Sequence, residues 1–449
     1  MGGVEGLLLR FIAVMYKRLM EKANISSTVT SRSREEEPQV EEEITTERPD
    51  WTLLPLDLVT KISEELPIPH RLCLRATCTT WYHAAVLDMD VPSPWLLIPD
   101  HESEQSDSCT FASLPTGLFF TYSPIPELRG TRCVGSHAGW LAIANVHLDV
   151  SLLNPLTRSQ IYLPSFTTLP TDDLMLECDV WSMDNPATDV PAYNPFKAFR
   201  DRFIGKVVFS SNPTIHNHVA VTLYGAYGDL AYTKAGKDAW LLLKEPSTKD
   251  HQYEDVMYHD DKFYCLSNEC EVEAFDLSGD CPTVALVVER LTFSVTYFHN
   301  IRGSNLSCTY KKYLARSSTG ELFMFLRYIN QPVLPNEMEL LRPKKFMVLR
   351  ANPETNPCWA AATNDLGSMS LFIGTNNSML VSNEDLPIVH GDGIFFIESY
   401  TVAFGNGIEL LTSDVGWFNL KEECSDNYYA SSCPQFDLAS VIWFTPSLQ

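Results

Sequence analysis

The stretch LLPLDLVTKISEELPIPHRLCLRATCTTWYHAAV, residues 53–86, decides how this chain is read. Leu54, Leu58, Ile62 and Leu66 recur at i, i+4, i+8 and i+12, which predicts one apolar stripe along a helix. Pro55 suits a first helical turn, and Pro67 with Pro69 stop the helix. Two further short helices are expected over His70–Ala76 and Thr77–Leu87, with Leu72, Leu74, Cys78, Trp81, Ala84 and Ala85 as their apolar residues. Three short helices in about forty residues bury little surface on their own. Leu54, Leu58, Ile62, Leu66 and Trp81 should then leave an apolar surface for a partner, so the block reads as an interaction module.

Downstream of Trp95-Leu96-Leu97-Ile98 the texture changes. Short apolar runs alternate with turn residues, as in GWLAIAN (139–145), KVVFSS (206–211), DVMYHDDKFYCLS (255–267), KYLARSSTGELFMFLRY (312–328) and GIFFIES (393–399). HDDKF and STGEL read as hairpin turns. No alternation of strands with helices is present, which disfavours a parallel-sheet enzyme fold. Tyr253–Asp276 and Tyr313–Arg350 share a layout of strand, tight turn, strand, loop, strand. Roughly 350 residues of short antiparallel strands fit a closed radial array of about six or seven four-stranded blades. The closing strand is expected at Val441–Phe444, beside Trp95–Ile98. The fold class expected is therefore mainly β with a small N-terminal α module.

Composition limits the functions open to the chain. Its 449 residues are 45% hydrophobic and 20% charged, which fits a globular protein. Net charge is −24, and residues 1–49, with seven basic and nine acidic side chains, carry little of it. The remaining −22 lies on the body, which repels phosphate backbones and disfavours nucleic acid. Twelve cysteines are scattered without a C-x-x-C pair. They read as reduced buried thiols of a cytoplasmic or nuclear protein rather than a disulfide framework or zinc site. The N-terminal run, with Val4, Leu8, Phe11, Met15 and Leu19 at helical spacing, is too short to span a bilayer and lacks signal-peptide features. Residues 1–49 are expected to be an extension followed by an acidic linker, poorly ordered, with the helical module at 50–90 and the β domain at 91–449.

The helical block resembles the F-box. The residues that carry the resemblance are Leu54-Pro55-x-Asp57-Leu58, then Ile62 and Leu66, then Leu72-x-Leu74-Arg75-x-x-Cys78-x-x-Trp81. The body resembles plant F-box proteins with a KIB-type β-propeller domain. The matching pieces are Cys133-x-Gly135-Ser136-His137-x-Gly139-Trp140-Leu141, Leu153-Asn154-Pro155-Leu156-Thr157, Ile161-x-Leu163-Pro164, Lys206-Val207-Val208-Phe209-Ser210-Ser211-x-Pro213 and Lys237-Asp238-x-Trp240. Leu366-Gly367, Leu371-Phe372-Ile373-Gly374 and Ile442-Trp443-Phe444-Thr445-Pro446-Ser447 complete the series. The chain departs from the F-box pattern at Pro69-His70, Thr79 and Tyr82.

The resemblance implies a non-catalytic substrate receptor of an SCF-type cullin-RING ubiquitin ligase. The F-box would dock on a Skp-type adaptor, which links it to cullin and RING subunits, and the propeller would hold a protein substrate. The adaptor-binding residues it implies are Leu54, Pro55, Leu56, Leu58, Ile62, Leu66, Leu72, Leu74, Arg75, Cys78 and Trp81. The alternative is a protein that masks a partner without ubiquitylating it. No cofactor and no metal is expected.

Other constellations carry less. Gly135-Ser136-His137-Ala138-Gly139 lacks the strand–turn–helix context of a nucleophile elbow and is expected to be a glycine-rich turn ahead of the Trp140 strand. His216-Asn217-His218 puts two imidazoles on one strand face, with no third metal ligand near. His259-Asp260-Asp261 is expected at a hairpin tip, and Trp140, Trp240, Trp359, Trp417 and Trp443 in the core. The Pro- and Asp-rich segment 164–200 is the longest irregular insertion and the first candidate for substrate contact.

Overall fold

The computed structural model describes residues 54–66, 71, 74, 78–84, 94–99, 109–113, 118–122, 125–171, 195–225, 228–244, 252–290, 308–330, 343–352, 358–361, 366–384, 393–403, 409–426 and 441–447. The N-terminal extension and acidic linker proposed for residues 1–49 lie outside them. Helix α1 is Leu56–Glu65 and α2 is Thr79–Ala84, and the two pack on each other. Thr60 Oγ1 donates to the Ala84 carbonyl at 3.0 Å, which ties the helices together. Arg71 donates from Nε to Leu66 O at 2.7 Å and from Nη2 to Glu64 O at 2.9 Å, satisfying carbonyls that the end of α1 leaves open.

The rest is built from short strands. The first blade has β1 (Trp95–Pro99), β2 (Cys109–Ser113) and β3 (Leu118–Tyr122). The second has β4 (Arg132–His137), β5 (Trp140–Ala144), β6 (Val150–Leu153) and β7 (Gln160–Leu163). Helix α3 (Pro195–Phe203) leads into the third, made of β8 (Ile204–Phe209), β9 (Val219–Tyr224), β10 (Asp229–Lys234) and β11 (Leu241–Leu242). The fourth is β12 (Tyr253–His259), β13 (Lys262–Ser267), β14 (Val272–Asp276) and β15 (Thr283–Val288). The fifth is β16 (Cys308–Arg316), β17 (Leu322–Asn330), β18 (Pro343–Ala351) and β19 (Trp359–Ala361). The sixth has β20 (Met369–Ile373), β21 (Met379–Ser382), β22 (Gly393–Ala403), β23 (Glu409–Asn419) and β24 (Cys424–Asp426). The last strand, β25 (Ile442–Phe444), returns to the first blade and pairs antiparallel with β1, Trp95 opposite Phe444 and Leu97 opposite Ile442.

The molecule is thus a six-bladed β-propeller closed by its C-terminal strand, as the sequence anticipated at Val441–Phe444. Closure pairs an edge that would otherwise stay open. Around the axis, β25, β4, β8, β12, β16 and β21 follow one another as neighbours. The blade interfaces explain why the strands read as unbroken apolar runs. Leu97 of β1 packs toward the second blade, while Leu96 and Ile98 pack toward the sixth. Val207 and Phe209 of β8 face the second blade, and Val208 faces the fourth. Alternate side chains point to opposite faces of a strand, and here both faces are buried.

The sixth blade differs from the four-stranded expectation. Its order is β21-β20-β22-β23-β24, with β20 and β22 parallel and β21 folded back antiparallel as the innermost strand. Gly374 makes the start of that return possible, since a Cβ there would lie 2.7 Å from Ile397 O. No helix among the described residues is long and apolar enough to cross a membrane.

Several sequence motifs meet in space. Trp240 Nε1 donates to Pro164 O at 2.8 Å, so the Lys-Asp-x-Trp and Ile-x-Leu-Pro pieces lock the second blade to the third. Asn154 accepts from the Leu156 and Thr157 amides and donates to Ser447 O at 3.0 Å, fastening the C-terminal strand. Gly139 lies against the same residue: a Cβ there would meet Ser447 Cβ at 2.4 Å. Gly135, expected in a turn, belongs instead to β4. A side chain at Gly135 would strike Val207 O at 1.9 Å, so its glycine serves blade packing, and the turn itself is Ala138-Gly139. Asp260 and Asp261 have positive φ at the hairpin tip, as a type I′ turn requires. Trp140, Trp240, Trp359 and Trp443 are buried, and Trp417 is partly buried.

Candidate functional site

Two regions carry chemistry that a partner can use: the outer face of the helical module and the centre of the propeller. In the module, the core is filled by Val59, Ser63, Leu66, Leu74, Trp81 and Ala84. Leu56 and Leu58 stay 53% and 43% exposed, beside exposed Pro55, and Tyr82 is exposed on α2. Leu54 and Ile62 are intermediate. The sequence stripe is corrected here. A row taken every fourth residue drifts by roughly 40° per step on a helix with 3.6 residues per turn. It therefore crosses from the outer face at Leu58 to the inner face at Leu66. Leu66, Leu74 and Trp81 belong to the core of the module itself, and among its described residues the exposed large hydrophobics are Leu56, Leu58 and Tyr82. Cys78 accepts from the Trp81 amide at 3.5 Å at the start of α2. Thr79 is exposed; Leu72, Arg75, Pro69 and His70 lie outside the described residues.

In the propeller, bulges set the chemistry of the innermost strands. Register shifts fall between Cys133 and Gly135 in β4, between Ile204 and Lys206 in β8, and between Tyr253 and Asp255 in β12. A bulge re-aims the residues that follow it. Lys206 Nζ and Asp255 Oδ1 meet at 2.6 Å, both fully buried side chains on neighbouring blades. Asp255 Oδ2 accepts from the Leu314 amide at 2.8 Å, so one carboxylate joins three blades. Beside it, Lys312 Nζ lies 2.7 Å from Glu254 Oε1. Neither pair was anticipated; the signal in the sequence was a lysine, Lys206, at the head of an otherwise apolar buried run.

The segment between β20 and β21 bridges the inner strands. Asn377 donates from its backbone to Ser136 O at 2.9 Å. Its side chain accepts from the Tyr258 amide at 3.0 Å and donates to Tyr258 O at 3.1 Å, joining β4 to β12 across the centre. His137 sits at this mouth, with Nε2 2.8 Å from Ser211 Oγ and Nδ1 3.3 Å from Asn377 Nδ2. Burial, with a smaller contribution from nearby His259, lowers the His137 pKa from 6.5 to about 4. The unfolded chain therefore takes up this proton first as pH falls. Stability held through neutral His137 is complete above pH 6.5 and drains between there and about pH 4. The slope is no steeper than about 1.4 kcal/mol per pH unit, and partial exposure of the ring lowers it. Urea unfolding at pH 7 and pH 4.5 should show a larger loss for the wild type than for His137→Gln. Parallel losses would remove His137 as the cause.

The remaining candidates are structural. His218 is buried with Nδ1 2.9 Å from Thr214 O, in the loop after β8, and no group of three His, Cys, Asp or Glu that could hold a metal occurs among the described residues. Cys133, Cys265 and Cys270 are buried free thiols. Burial pushes Cys133 up to about 12 and Cys270 up to about 11, far from thiolate nucleophiles. At the ends of the long insertion, Phe166 is buried and stacked on Trp240 with ring centroids 5.7 Å apart, and Phe199 is buried in the same core. Its middle, residues 172–194, lies outside the described residues.

Comparison with known proteins agrees with this architecture. The KIB1-4 beta-propeller family model matches residues 111–419, and the F-box domain model matches residues 51–88. The F-box protein KIB2 of Arabidopsis thaliana is 23% identical over 325 residues, covering 71% of this chain and 69% of that protein. The F-box protein KIB3 of the same plant is 26% identical over 263 residues, 57% of this chain and 54% of the relative. The F-box/kelch-repeat protein KIB1 is 25% identical over 235 residues, 51% and 53% of the two chains.

Proposed function

We propose a function from the premise that this chain belongs to the KIB1-4 β-propeller family and carries an F-box ahead of the propeller: it is the non-catalytic substrate receptor of an SCF-type cullin-RING ubiquitin ligase. Residues 50–90 bind a Skp-type adaptor, which brings the cullin and RING subunits, and the domain at 91–449 holds a protein substrate in the cytoplasm or nucleus. The observation that carries this reading is the exposed pair Leu56 and Leu58 on a helical module whose core is already filled by Val59, Leu66, Leu74 and Trp81. Leucines left in water on a rigid helix are suited to burial against a partner groove. In this reading Leu54, Pro55, Leu56 and Leu58 make the contact with Ile62 at its border, while Leu66, Leu74, Cys78 and Trp81 hold the helices in place. Leu72 and Arg75 stay assigned to the adaptor face. Residues 164–171 and 195–200 brace the second and third blades, which leaves substrate recognition in this insertion to residues 172–194.

A pull-down of a Skp-type adaptor tests the assignment. Leu56→Asp/Leu58→Asp removes about 2 kcal/mol of burial and forces two carboxylates into an apolar contact, so affinity should drop at least about 100-fold. Leu54→Ala/Pro55→Ala should also lose the adaptor. Both variants should keep a cooperative melt, because Pro55, Leu56 and Leu58 are exposed and Leu54 is only half-buried. Failure of the folded wild type to capture any Skp-type adaptor would favour the masking alternative.

A further inference from the structure

At the end of the channel where the inner strands begin, away from His137, a cavity of about 240 Å³ opens among the third to sixth blades. Phe203, Leu223, Tyr224, Tyr253, Lys206 and Thr375 are among the residues that line it. Two of the tyrosine hydroxyls are committed elsewhere: Tyr224 donates to Pro170 O at 2.9 Å and Tyr253 to Glu273 Oε2 at 2.5 Å. What these residues offer the cavity is therefore aromatic ring. Phe203 adds another, stacked on Phe199 at 5.3 Å.

Lys206 supplies a buried polar group, and Gln252, Glu254, Asp255 and Lys311 also line the cavity. An ammonium carries three N–H donors. Among the described residues Lys206 has one acceptor, Asp255 Oδ1, although its side chain is only 5% exposed. Asp255 is already shared: Oδ1 also accepts from the Val256 amide and Oδ2 accepts from the Leu314 amide, so three of its roughly four acceptor sites are taken. The buried pair is electrically balanced. An anion placed on Lys206 would set a second negative charge beside Asp255 in a poorly solvated site, which is costly. A neutral oxygen acceptor meets the open donors without that cost.

We propose that this cavity binds a small uncharged organic molecule, a flat aromatic or alicyclic body whose carbonyl or hydroxyl oxygen accepts a hydrogen bond from Lys206. Its volume is below the ~300–1,000 Å³ of sites for drug-sized ligands, so the molecule is correspondingly small. The site is independent of the adaptor assignment, since it lies wholly in the propeller.

Saturation-transfer NMR on the full chain with 4-hydroxyacetophenone as probe tests this, with benzoate as the charged match. Binding of the ketone is expected with Kd on the order of 1 mM, as for a minimal ligand, and at least about tenfold weaker transfer to benzoate. Leu223→Phe, opposite Lys206 in the β8–β9 ladder, narrows the cavity while keeping both members of the Lys206–Asp255 pair, and should weaken the ketone at least about tenfold. Lys206→Met should do the same; if that variant fails to fold, Leu223→Phe decides. Equal signals from wild type and Leu223→Phe would place the probe elsewhere and overturn the site. Benzoate binding as tightly as the ketone would overturn the ligand class, and absence of transfer from the uncharged probe at several times its expected Kd would leave the cavity as a solvent pocket only.

Discussion

Removal of Ala439–Gln449 is expected to abolish cooperative folding of the propeller. The deletion takes away β25, whose Ile442, Trp443 and Phe444 are all buried. Burial of three such side chains is worth roughly 5–9 kcal/mol, against a total stability of about 5–15 kcal/mol for a typical domain. The loss goes beyond apolar area. Trp443 stands edge-on to Phe372 with centroids 5.3 Å apart and donates from Nε1 to Ile373 O at 3.1 Å, so it carries the junction between the sixth and first blades. Ser136 Oγ donates to Trp443 O, and Asn154 donates to Ser447 O, tying the strand to the second blade as well. Without β25, the inner edge of β1 is open and two blade interfaces lose a wall. The truncated chain should show no cooperative transition in a thermal melt followed by circular dichroism. A sharp melt at the wild-type temperature would mean that the ring is held shut by something other than this strand.

The second large effect is expected from Asp255→Ala. The carboxylate joins Lys206 of β8, the Val256 amide of its own strand and the Leu314 amide of β16. Its removal strands a buried ammonium and two amides together, and breaking a buried ion pair by deleting one partner costs about 3–5 kcal/mol. Urea unfolding should show a large drop in midpoint relative to the wild type. Lys206→Met/Asp255→Asn is the informative companion. It removes both charges and keeps an amide oxygen for Leu314, so it should recover at least about half of the loss. Were the single variant to lose less than about 1 kcal/mol, the pair would have to be well hydrated in solution.

Much of this architecture is legible in the sequence. The helical module, the strand runs, the tips at Asp260-Asp261 and Ser317–Gly320, and the closing strand all follow from local pattern. Each is a property of neighbouring residues: apolar period, proline position or turn chemistry. The adaptor face was legible only in part. A helix's apolar positions show that it has a buried side, but Leu58 and Leu66 fall on different sides because the four-residue row drifts around the axis. Their separation depends on where α2 packs against α1.

The centre of the propeller lay beyond such a reading. Lys206 and Asp255 are 49 residues apart, and Tyr258 and Asn377 are 119 apart. They meet because bulges at Gly205 and Glu254 shift the register of their strands, and because the parallel pairing of β20 with β22 sends β21 back along the axis. The sequence by itself determined the helical module, the main strand runs and that the last strand closes the ring, since those outcomes rest on short-range periodicity and on matching apolar edges; it missed helix α3 at Pro195–Phe203, whose start lies in the segment read as irregular. Only the tertiary structure decided which leucines remain exposed and which charges pair, because burial and partner choice depend on the packing of elements distant in the chain.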